Sequence, residues 1–351
     1  MSDISNQLVG RVQAAFTQSE QLNIRGNGSK NFIGREQKGQ IFETSGHTGI
    51  VSYNPAELVM IARSGTTIAE INNTLAESGQ ILPCESPLSG NATLGGVLAC
   101  NQSGPARPWR GSIRDCVLGL RMINGKGEQL RFGGQVIKNV AGYDIARLQA
   151  GAMGSLGVLT EISFKVIPKP AAQQTVSVSL PAEEALDKMN AMLAQSLPLS
   201  GACWHAGKMY LRFSGAGQAV RAAVQAYEDK ALVDDTEFWS QLGEKPLVFF
   251  TQDKPLWRFS IKPTAQHFLP EGDWLIDWAG AQRWLIGDYP IEELREYAKA
   301  SGGQVELYRG GDRSSDLMPQ PDPATKLLLT RLKQSFDPKG IFNPGRLYSW
   351  L

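Results

Sequence analysis

The sequence predicts an α+β protein of two or three domains. Its 351 residues exceed the roughly 100–200 residues of a single domain. Short runs with strand periodicity alternate with runs of helical spacing along the whole chain. The 37 glycines follow no repeat, which indicates many tight turns and close backbone approaches and not a fibrous chain.

The composition excludes several classes of partner. A hydrophobic content of 42% and a charged content of 20% are typical of globular proteins. The formal net charge is +1, so no strong field favours nucleic acid or an acidic membrane surface. The first residues lack the basic and apolar regions of a signal peptide, and no apolar run approaches the ~20 residues that span a bilayer. We therefore expect a cytoplasmic protein, and if it meets a membrane we expect contact at the periphery or through a partner.

The four cysteines are scattered and form no Cys-x-x-Cys pair. The pattern offers neither a zinc site nor an iron–sulfur site and fits a reducing compartment. We expect small buried side chains, and they are Cys84, Cys100, Cys116 and Cys203.

The first half of the chain predicts a sheet with short helices. Apolar residues at helical spacing predict a helix over residues 3–17, followed by a strand over 22–25. Thr67 is typical of a helix cap, and a hairpin is expected around the turn at 124–127. The composition changes after the strand at 158–166, which predicts a domain boundary near residue 171.

The second half reads β-α-β-β-α followed by further strands, which predicts an antiparallel sheet with helices on one face. Asp322 is expected to cap a last helix. Leu328, Leu332 and Phe336 are predicted to form the buried side of that helix.

A glycine-rich loop at residues 25–30 is the first candidate for a binding site. Glycines allow backbone amides to turn inward as an anion nest, and Arg25 and Lys30 add positive charge. The loop lacks the third glycine of the dinucleotide fingerprint, and the chain has no P-loop motif. A plain glycine turn is the alternative.

A second glycine-rich segment spans residues 87–96. Thr93 is placed to cap a short helix whose free amides would point at a phosphate or a flavin oxygen, and Gly95 and Gly96 would leave room for a flat ring. Tight packing without a ligand is the alternative. Together the two segments predict a pocket for a flavin nucleotide.

Catalytic residues are not evident. His47, His205 and His267 lie at no metal-ligand spacing, so no general base and no metal site is predicted. Arg258 is a candidate for a substrate carboxylate because a guanidinium binds carboxylates in a bidentate manner, with a structural ion pair as the alternative.

A family resemblance is carried by the segments, taken in this order, at 25–30, 62–66, 82–87, 107–111, 131–134, 138–144, 256–258, 276–278 and 342–346. The chain resembles the FAD-binding domain of the vanillyl-alcohol oxidase / p-cresol methylhydroxylase (PCMH) superfamily and, within it, the smaller FAD-binding (E) subunits of bacterial glycolate oxidases. The resemblance covers nearly the whole chain.

The resemblance implies a fold. A PCMH-type FAD-binding domain of two α+β subdomains would span residues 1–170. A ferredoxin-like α+β cap domain with an antiparallel sheet would span 171–320. A C-terminal helix and tail at 321–351 would return to the FAD-binding domain.

The resemblance also implies a set of cofactor-binding positions in five segments. They are Arg25, Gly26, Asn27, Gly28, Ser29 and Lys30 in the pyrophosphate loop; Ser86, Thr93, Gly95 and Gly96 along the flavin; Ser103, Gly104, Gly111 and Ile113 in the next shell; Gly157 and Val158 on the adenine side; and Asn343 and Arg346 in the returning tail.

Departures from the family pattern limit the interpretation. Covalent members often carry a histidine in the pyrophosphate loop, where Ser29 and Lys30 stand here, so non-covalent FAD is expected. The implied activity is oxidation of glycolate or a similar 2-hydroxy acid, with a larger FAD subunit, an iron–sulfur subunit and a quinone-type acceptor as partners. A non-catalytic assembly subunit and a stand-alone flavin oxidase are the alternatives.

Overall fold

A computed structural model describes residues 2–85, 91–134, 143–227, 231–233, 236–266 and 272–351. The strands in chain order are β1 Leu22–Arg25, β2 Gln40–Glu43, β3 Ile50–Asn54, β4 Val59–Arg63, β5 Gln80–Ile81, β6 Val117–Ile123, β7 Gln129–Gly133, β8 Val158–Lys165, β9 Ile167–Pro168, β10 Ala172–Ser179, β11 Leu199–His205, β12 Lys208–Gly215, β13 Ala231–Val233, β14 Leu256–Ser260, β15 Asp273–Asp277, β16 Gln282–Ile286 and β17 Gln304–Arg309. The helices are α1 Ser5–Gln18, α2 Ile68–Glu77, α3 Leu94–Ala99, α4 Arg107–Arg110, α5 Ile113–Cys116, α6 Ile145–Leu148, α7 Ala182–Leu193, α8 Gly217–Gln225, α9 Thr236–Glu244, α10 Val248–Thr251, α11 Ile291–Ala300 and α12 Pro323–Phe336, with a 3₁₀ turn at Trp278–Gly280.

The contacts divide the chain into two compact units. Unit 1 comprises residues 1–102, 112–168 and 313–351, and unit 2 comprises residues 103–111 and 169–312. The α+β class and the antiparallel second sheet are as predicted. The predicted division into domains at 1–170, 171–320 and 321–351 stays a proposal.

Unit 1 is built on a five-stranded antiparallel sheet in the order β3-β4-β8-β6-β7. Helices α2 and α3 bury their apolar sides, including Ile71, Leu75 and Leu98, in its main core. Thr67 caps α2 as predicted, since its hydroxyl accepts from the Glu70 amide at 3.1 Å.

A parallel pair of strands, β1 and β2, lies beside a second core of unit 1. The C-terminal tail joins β1, because the Leu22 amide donates to the Ile341 carbonyl at 2.7 Å and the Asn343 amide donates to the Leu22 carbonyl at 2.9 Å. The tail thereby brings residues more than 300 positions away to the start of the glycine-rich loop.

Unit 2 contains an eight-stranded sheet in the order β13-β10-β12-β11-β15-β16-β14-β17. The run β10-α7-β11-β12-α8-β13 follows the βαββαβ order of ferredoxin-like folds. Strands β14 to β17 form the other half of the sheet, and their order across it is the mirror image of the order of strands β10 to β13. The two halves join where β11 pairs with β15.

Successive residues of a strand point to opposite faces of the sheet. On unit 2, one face packs its apolar side chains on α7 and α8. The other face carries polar residues and is covered by α9 and α10, where the Trp239 indole donates to the Thr175 hydroxyl at 2.9 Å and Phe250 packs on Trp284.

The last helix, α12, corrects the sequence analysis. Phe336 is buried as predicted, but Leu328 is 65% exposed and Leu327 is 50% exposed. Leu332 is partly buried against the main core of unit 1, as predicted, and Lys333 is buried beside Phe336. No helix in the described ranges is both long and apolar enough to cross a bilayer.

Candidate cofactor site

A cavity in unit 1 opens where β1 runs into the glycine-rich loop. The space in the cavity and its open mouth amounts to about 610 Å³, solvent outside the mouth included. It is lined by Ile24, Arg25, Gly26, Asn27, Gly28, Ser29, Lys30, Asn31, Thr44, Ser64, Thr93, Gly95, Gly96, Ala99, Cys100, Met153, Gly154, Gly157, Leu159 and Arg346. Segments that are far apart in sequence thus share one cavity.

The backbone amides of the loop are its first binding feature. From Asn27 to Lys30 no backbone N–H donates to a protein group in the described part of the chain. Gly28 has a φ of 74°, in the left-handed region that a nest of inward amides requires and that favours glycine. The loop is closed by the Asn31 amide, which donates to the Gly28 carbonyl at 3.0 Å. The backbone amides from Asn27 to Lys30 can therefore donate hydrogen bonds to an anion bound in the cavity.

Two buried cations are the second feature. Lys30 is 9% exposed and Arg346 is 5% exposed. Among the described residues, the Lys30 ammonium donates only to the Ser29 hydroxyl, at 3.3 Å, and the Arg346 Nε has no partner. Burial lowers the pKa of both side chains. Because a buried charge without a counterion is costly, the pair favours an anionic ligand.

Arg25 contributes less charge than the sequence suggests. Its guanidinium contacts the Glu43 carboxylate, with Nη2 at 2.6 Å from Oε1. Arg25 lines the cavity, but its charge is compensated by a partner within the protein. The sequence could not reveal this because Glu43 comes from the neighbouring strand β2.

The second glycine-rich segment differs from the prediction. Thr93 caps α3, accepting from the Gly96 amide at 3.3 Å. However, the Leu94 and Gly95 amides donate to the carbonyls of Thr66 and Ser64 at 2.9 and 2.8 Å. The prediction that these amides are free for a phosphate is therefore wrong. They tie α3 to the turn after β4.

The glycines of this region permit close contact between segments of the chain itself. A Cβ on Gly26 would lie 2.3 Å from the Thr93 hydroxyl, and a Cβ on Gly95 would lie 2.8 Å from the Ser64 Cβ. Larger residues would push the loop and α3 apart. Gly96 meets only the Thr93 hydroxyl, at 3.1 Å, and remains open on the side of the cavity.

Asn343 holds the cavity together without lining it. Its side-chain oxygen accepts from the Ile24 amide at 2.7 Å, and its side-chain nitrogen donates to the Met153 carbonyl at 2.6 Å. The tail residue thereby fixes the end of β1 next to the turn at 153–154. It is a positioning residue for the loop.

The other predicted positions fall in different places. Gly157 lines the cavity, whereas the side chains of Val158 and Ile113 are fully buried in the cores of unit 1. The remaining positions lie elsewhere: Ser103, Gly104 and Gly111 belong to unit 2, and Ser86 lies outside the described residues. Their roles in binding stay predictions.

Sequence reasoning missed Cys100 and Ser64. Cys100 lies four residues after Gly96 and therefore on the same side of the helix, a spacing that could have indicated it. Ser64 lines the cavity just after β4, where its amide donates to the Thr160 carbonyl of β8 at 2.8 Å, a contact between distant segments that no local pattern reveals. All four cysteines are buried and unbridged, as predicted.

Arg258 of unit 2 forms an ion pair. Its guanidinium lies 2.5 Å from a Glu306 carboxylate oxygen and 5.5 Å from the centre of the Tyr308 ring. This arrangement favours the structural alternative over a free carboxylate clamp. On the same face of the sheet, the Lys245 ammonium lies over the rings of Phe250 and Trp284.

Comparison with known proteins places this geometry in a family. Residues 5–133 match the family described as an FAD binding domain. The glycolate oxidase subunit GlcE of Escherichia coli K12 is 42% identical over 350 residues, which is 99% of each chain. This chain belongs to the GlcE family of glycolate oxidase subunits. The predicted family and the FAD cofactor are confirmed.

More distant relatives match the GlcE-type chain over part of its length. The glycolate oxidase subunit GlcD of Bacillus subtilis is 31% identical over 127 residues, 36% of this chain and 27% of the relative. A D-2-hydroxyglutarate dehydrogenase of Xanthomonas citri is 26% identical over 149 residues, 42% of this chain and 32% of the relative.

Solved structures confirm the PCMH-type fold. p-Cresol methylhydroxylase with bound substrate matches 99% of this chain and 87% of its own, with a TM-score of 0.75 and 15% identity. Alkyldihydroxyacetonephosphate synthase matches 97% of this chain and 75% of its own, with a TM-score of 0.66 and 15% identity. At such identities the likeness concerns the fold alone.

Proposed function

We propose that the cavity binds FAD non-covalently and that the chain is the FAD-binding subunit of a glycolate oxidase complex. The observation that carries the binding proposal is the pairing of the unengaged amides at 27–30 with two buried cations that lack a carboxylate partner in the described ranges. A diphosphate supplies the oxygens and the negative charge that both features need.

The residues have distinct parts in this binding. The amides of Asn27 to Lys30 would donate to the diphosphate, and the Lys30 and Arg346 side chains would neutralise it. Asn343 would keep the loop in place from behind. Ser29 and Lys30 stand where covalent members carry a histidine, which supports a dissociable cofactor.

Bound FAD supplies two-electron redox chemistry, which protein groups orient and tune. The complex would oxidise glycolate to glyoxylate and pass electrons to an iron–sulfur partner and then to a quinone-type acceptor. A larger FAD-binding subunit would hold the substrate. Contact with the inner membrane would be peripheral and would go through these partners.

A non-catalytic, flavin-binding assembly subunit is the second candidate. It is favoured by the Arg258–Glu306 ion pair, which leaves the guanidinium engaged within the protein. In this interpretation the chain keeps its flavin, but that flavin takes no part in the oxidation.

The first experiment is an anaerobic titration of the purified, FAD-loaded full chain with glycolate, followed by the visible spectrum. Absence of a flavin band after incubation with FAD would refute the binding proposal. Bleaching without partner chains would eliminate the assembly reading. Bleaching only with the native partner chains would support the complex, and none in either case would leave only the assembly role.

A second measurement tests the attachment. Acid precipitation of the loaded chain should leave the yellow colour in the supernatant. Flavin that stays with the precipitated protein would contradict non-covalent binding.

A further inference from the structure

The position of Cys100 distinguishes it from the other three cysteines. It ends α3, where its amide donates to the Gly96 carbonyl at 3.1 Å, and it lines the cofactor cavity. Cys100 is 9% exposed, whereas Cys84, Cys116 and Cys203 are fully buried. A small solute that enters the cavity therefore meets one thiol.

The charges around this thiol are positive. Cys100 interacts electrostatically with both Lys30 and Arg346. The Arg346 Nε, 95% buried with its residue, has no hydrogen-bond partner among the described residues. That unsatisfied donor is an independent sign that the space beside Cys100 receives an anionic group. Partly accessible thiols next to cations are the reactive ones in proteins.

We propose that Cys100 is a modification site inside the cofactor cavity, and that its oxidation by a small hydroperoxide and the binding of the FAD diphosphate exclude each other. The inference rests on the proposed FAD site. The same two cations would serve the diphosphate in the loaded protein and the oxidised sulfur group in the empty one.

The reaction balances with a hydroperoxide as the oxidant. The sulfur attacks one peroxide oxygen, an S–O bond forms and the O–O bond breaks. Sulfur is oxidised by two electrons to a sulfenic acid, and the peroxide is reduced. The thiol proton goes to the leaving oxygen, which departs as water or an alcohol.

The other thiols serve as internal controls. The hydrogen bond with Cys84, together with burial, raises the pKa of Cys116, and burial raises the pKa of Cys203. Neither therefore presents an accessible thiolate. Oxidation by low concentrations of peroxide should be confined to Cys100.

The experiment treats the full-length apoprotein with hydrogen peroxide and traps the sulfenic acid with dimedone. Peptide mass mapping locates the adduct, and parallel samples contain FAD or inorganic pyrophosphate during treatment. A third sample is treated without trap, and its FAD affinity is measured before and after reduction with dithiothreitol. Cys100→Ser is taken through the same steps.

The expected result is an adduct on Cys100 that FAD and pyrophosphate both suppress. The treated wild type should bind FAD about tenfold more weakly or worse, since it loses charged contacts, and the reductant should restore binding. The affinity of Cys100→Ser should be the same before and after peroxide. If this variant fails to fold, the inference is tested in the wild type alone, by the position of the adduct and by its suppression with FAD and pyrophosphate.

Three outcomes would overturn the inference while leaving the FAD site intact: labelling of another cysteine first, equal labelling with and without FAD, or unchanged FAD affinity after Cys100 is oxidised. Flavin retained on the Cys100 peptide would also overturn it. If the untreated chain binds no FAD, the proposed function fails by itself. The sample with pyrophosphate then still tests the inference, which is refuted if pyrophosphate does not reduce labelling of Cys100.

Discussion

At the scale of single residues, the cavity depends on which cations are left unpaired. Arg25 and Lys30 flank the same loop, and the sequence gives them equal standing. The structure separates them, because Glu43 pairs with Arg25, whereas Lys30 is buried beside Ser29 and pairs with no carboxylate in the part of the chain that the structure describes. The binding charge is therefore carried by Lys30 together with Arg346 from the tail.

This separation gives the first prediction. Lys30→Met should weaken FAD binding by about tenfold to a hundredfold, since charged hydrogen bonds contribute roughly 1.5–3 kcal/mol. Removing one buried cation should also reduce the salt dependence of binding. Isothermal titration of the apoprotein with FAD at several salt concentrations measures both quantities.

Arg25→Gln is the matched control for Lys30→Met. Its guanidinium is compensated by Glu43, so the change in FAD affinity should stay below about threefold, as for other exposed ion pairs. Equal losses in the two variants would contradict the assignment of the binding charge to Lys30.

At the scale of elements, α12 is held by a polar contact that the sequence did not predict, in addition to the predicted apolar contact of Phe336. The Lys333 ammonium donates to the Ser155 carbonyl, the Asp337 carboxylate and the Phe342 carbonyl, at 2.7, 2.7 and 2.8 Å. Asp337 in turn accepts from the amides of Ile341 and Phe342. This network fixes the tail that carries Asn343 and Arg346.

The second prediction follows from that network. Lys333→Met should lower the free energy of unfolding by about 3–5 kcal/mol, because it leaves the buried Asp337 carboxylate without its cation. FAD affinity should fall as well, since the tail loses its anchor. Urea unfolding of the apoprotein and FAD titration are the measurements.

Lys326→Met on the same helix provides the comparison. Lys326 is exposed, with its ammonium over the Trp350 ring at 4.8 Å, a contact worth about 0.5–1 kcal/mol at such sites. If Lys333→Met lowers the free energy of unfolding no more than Lys326→Met does, the hydrogen-bond network of Lys333 does not stabilise the protein.

At the scale of the whole molecule, the two units carry different kinds of polar site. Unit 1 leaves cations open to a ligand, whereas unit 2 closes its polar sheet face with its own α9 and α10. There Lys245 and Asp277 interact, and burial lowers the pKa of Lys245 to about 8 and raises the pKa of Asp277 to about 6.

The pKa of Lys245 gives a pH prediction. Between pH 8 and the ordinary lysine value of 10.5, the unfolded chain binds more protons at this residue than the folded chain. The contribution of Lys245 to the free energy of unfolding should therefore rise with pH across this window, by at most about 1.4 kcal/mol per pH unit. Below pH 8 the penalty for the buried charge is fully present.

The test compares the wild type with Lys245→Met, by urea unfolding at several pH values from 7 to 11. The difference in unfolding free energy between the two proteins should change through the window and level off above it. Lys208→Met, which removes an exposed ammonium of the same unit, should run parallel to the wild type. A constant difference for Lys245→Met would refute the buried-charge account.

The sequence by itself determined the α+β class, most strands and helices of both halves, the glycine-rich loop and the FAD-binding family. These depend on local periodicity, capping residues and the order of short motifs, all of which can be recognised within short stretches of sequence. The sequence also predicted correctly that Thr93 caps a helix and that the four cysteines are buried.

Only the tertiary structure decided which polar groups are still available. The α3 amides are taken by Ser64 and Thr66, Arg25 by Glu43, and Arg258 by Glu306. Lys333 was found to anchor α12 beside Phe336, whereas the predicted Leu328 is exposed. Hydrogen bonds and ion pairs between distant segments are non-local, so no sequence window contains both partners, and the cavity exists only once the chain has brought them together.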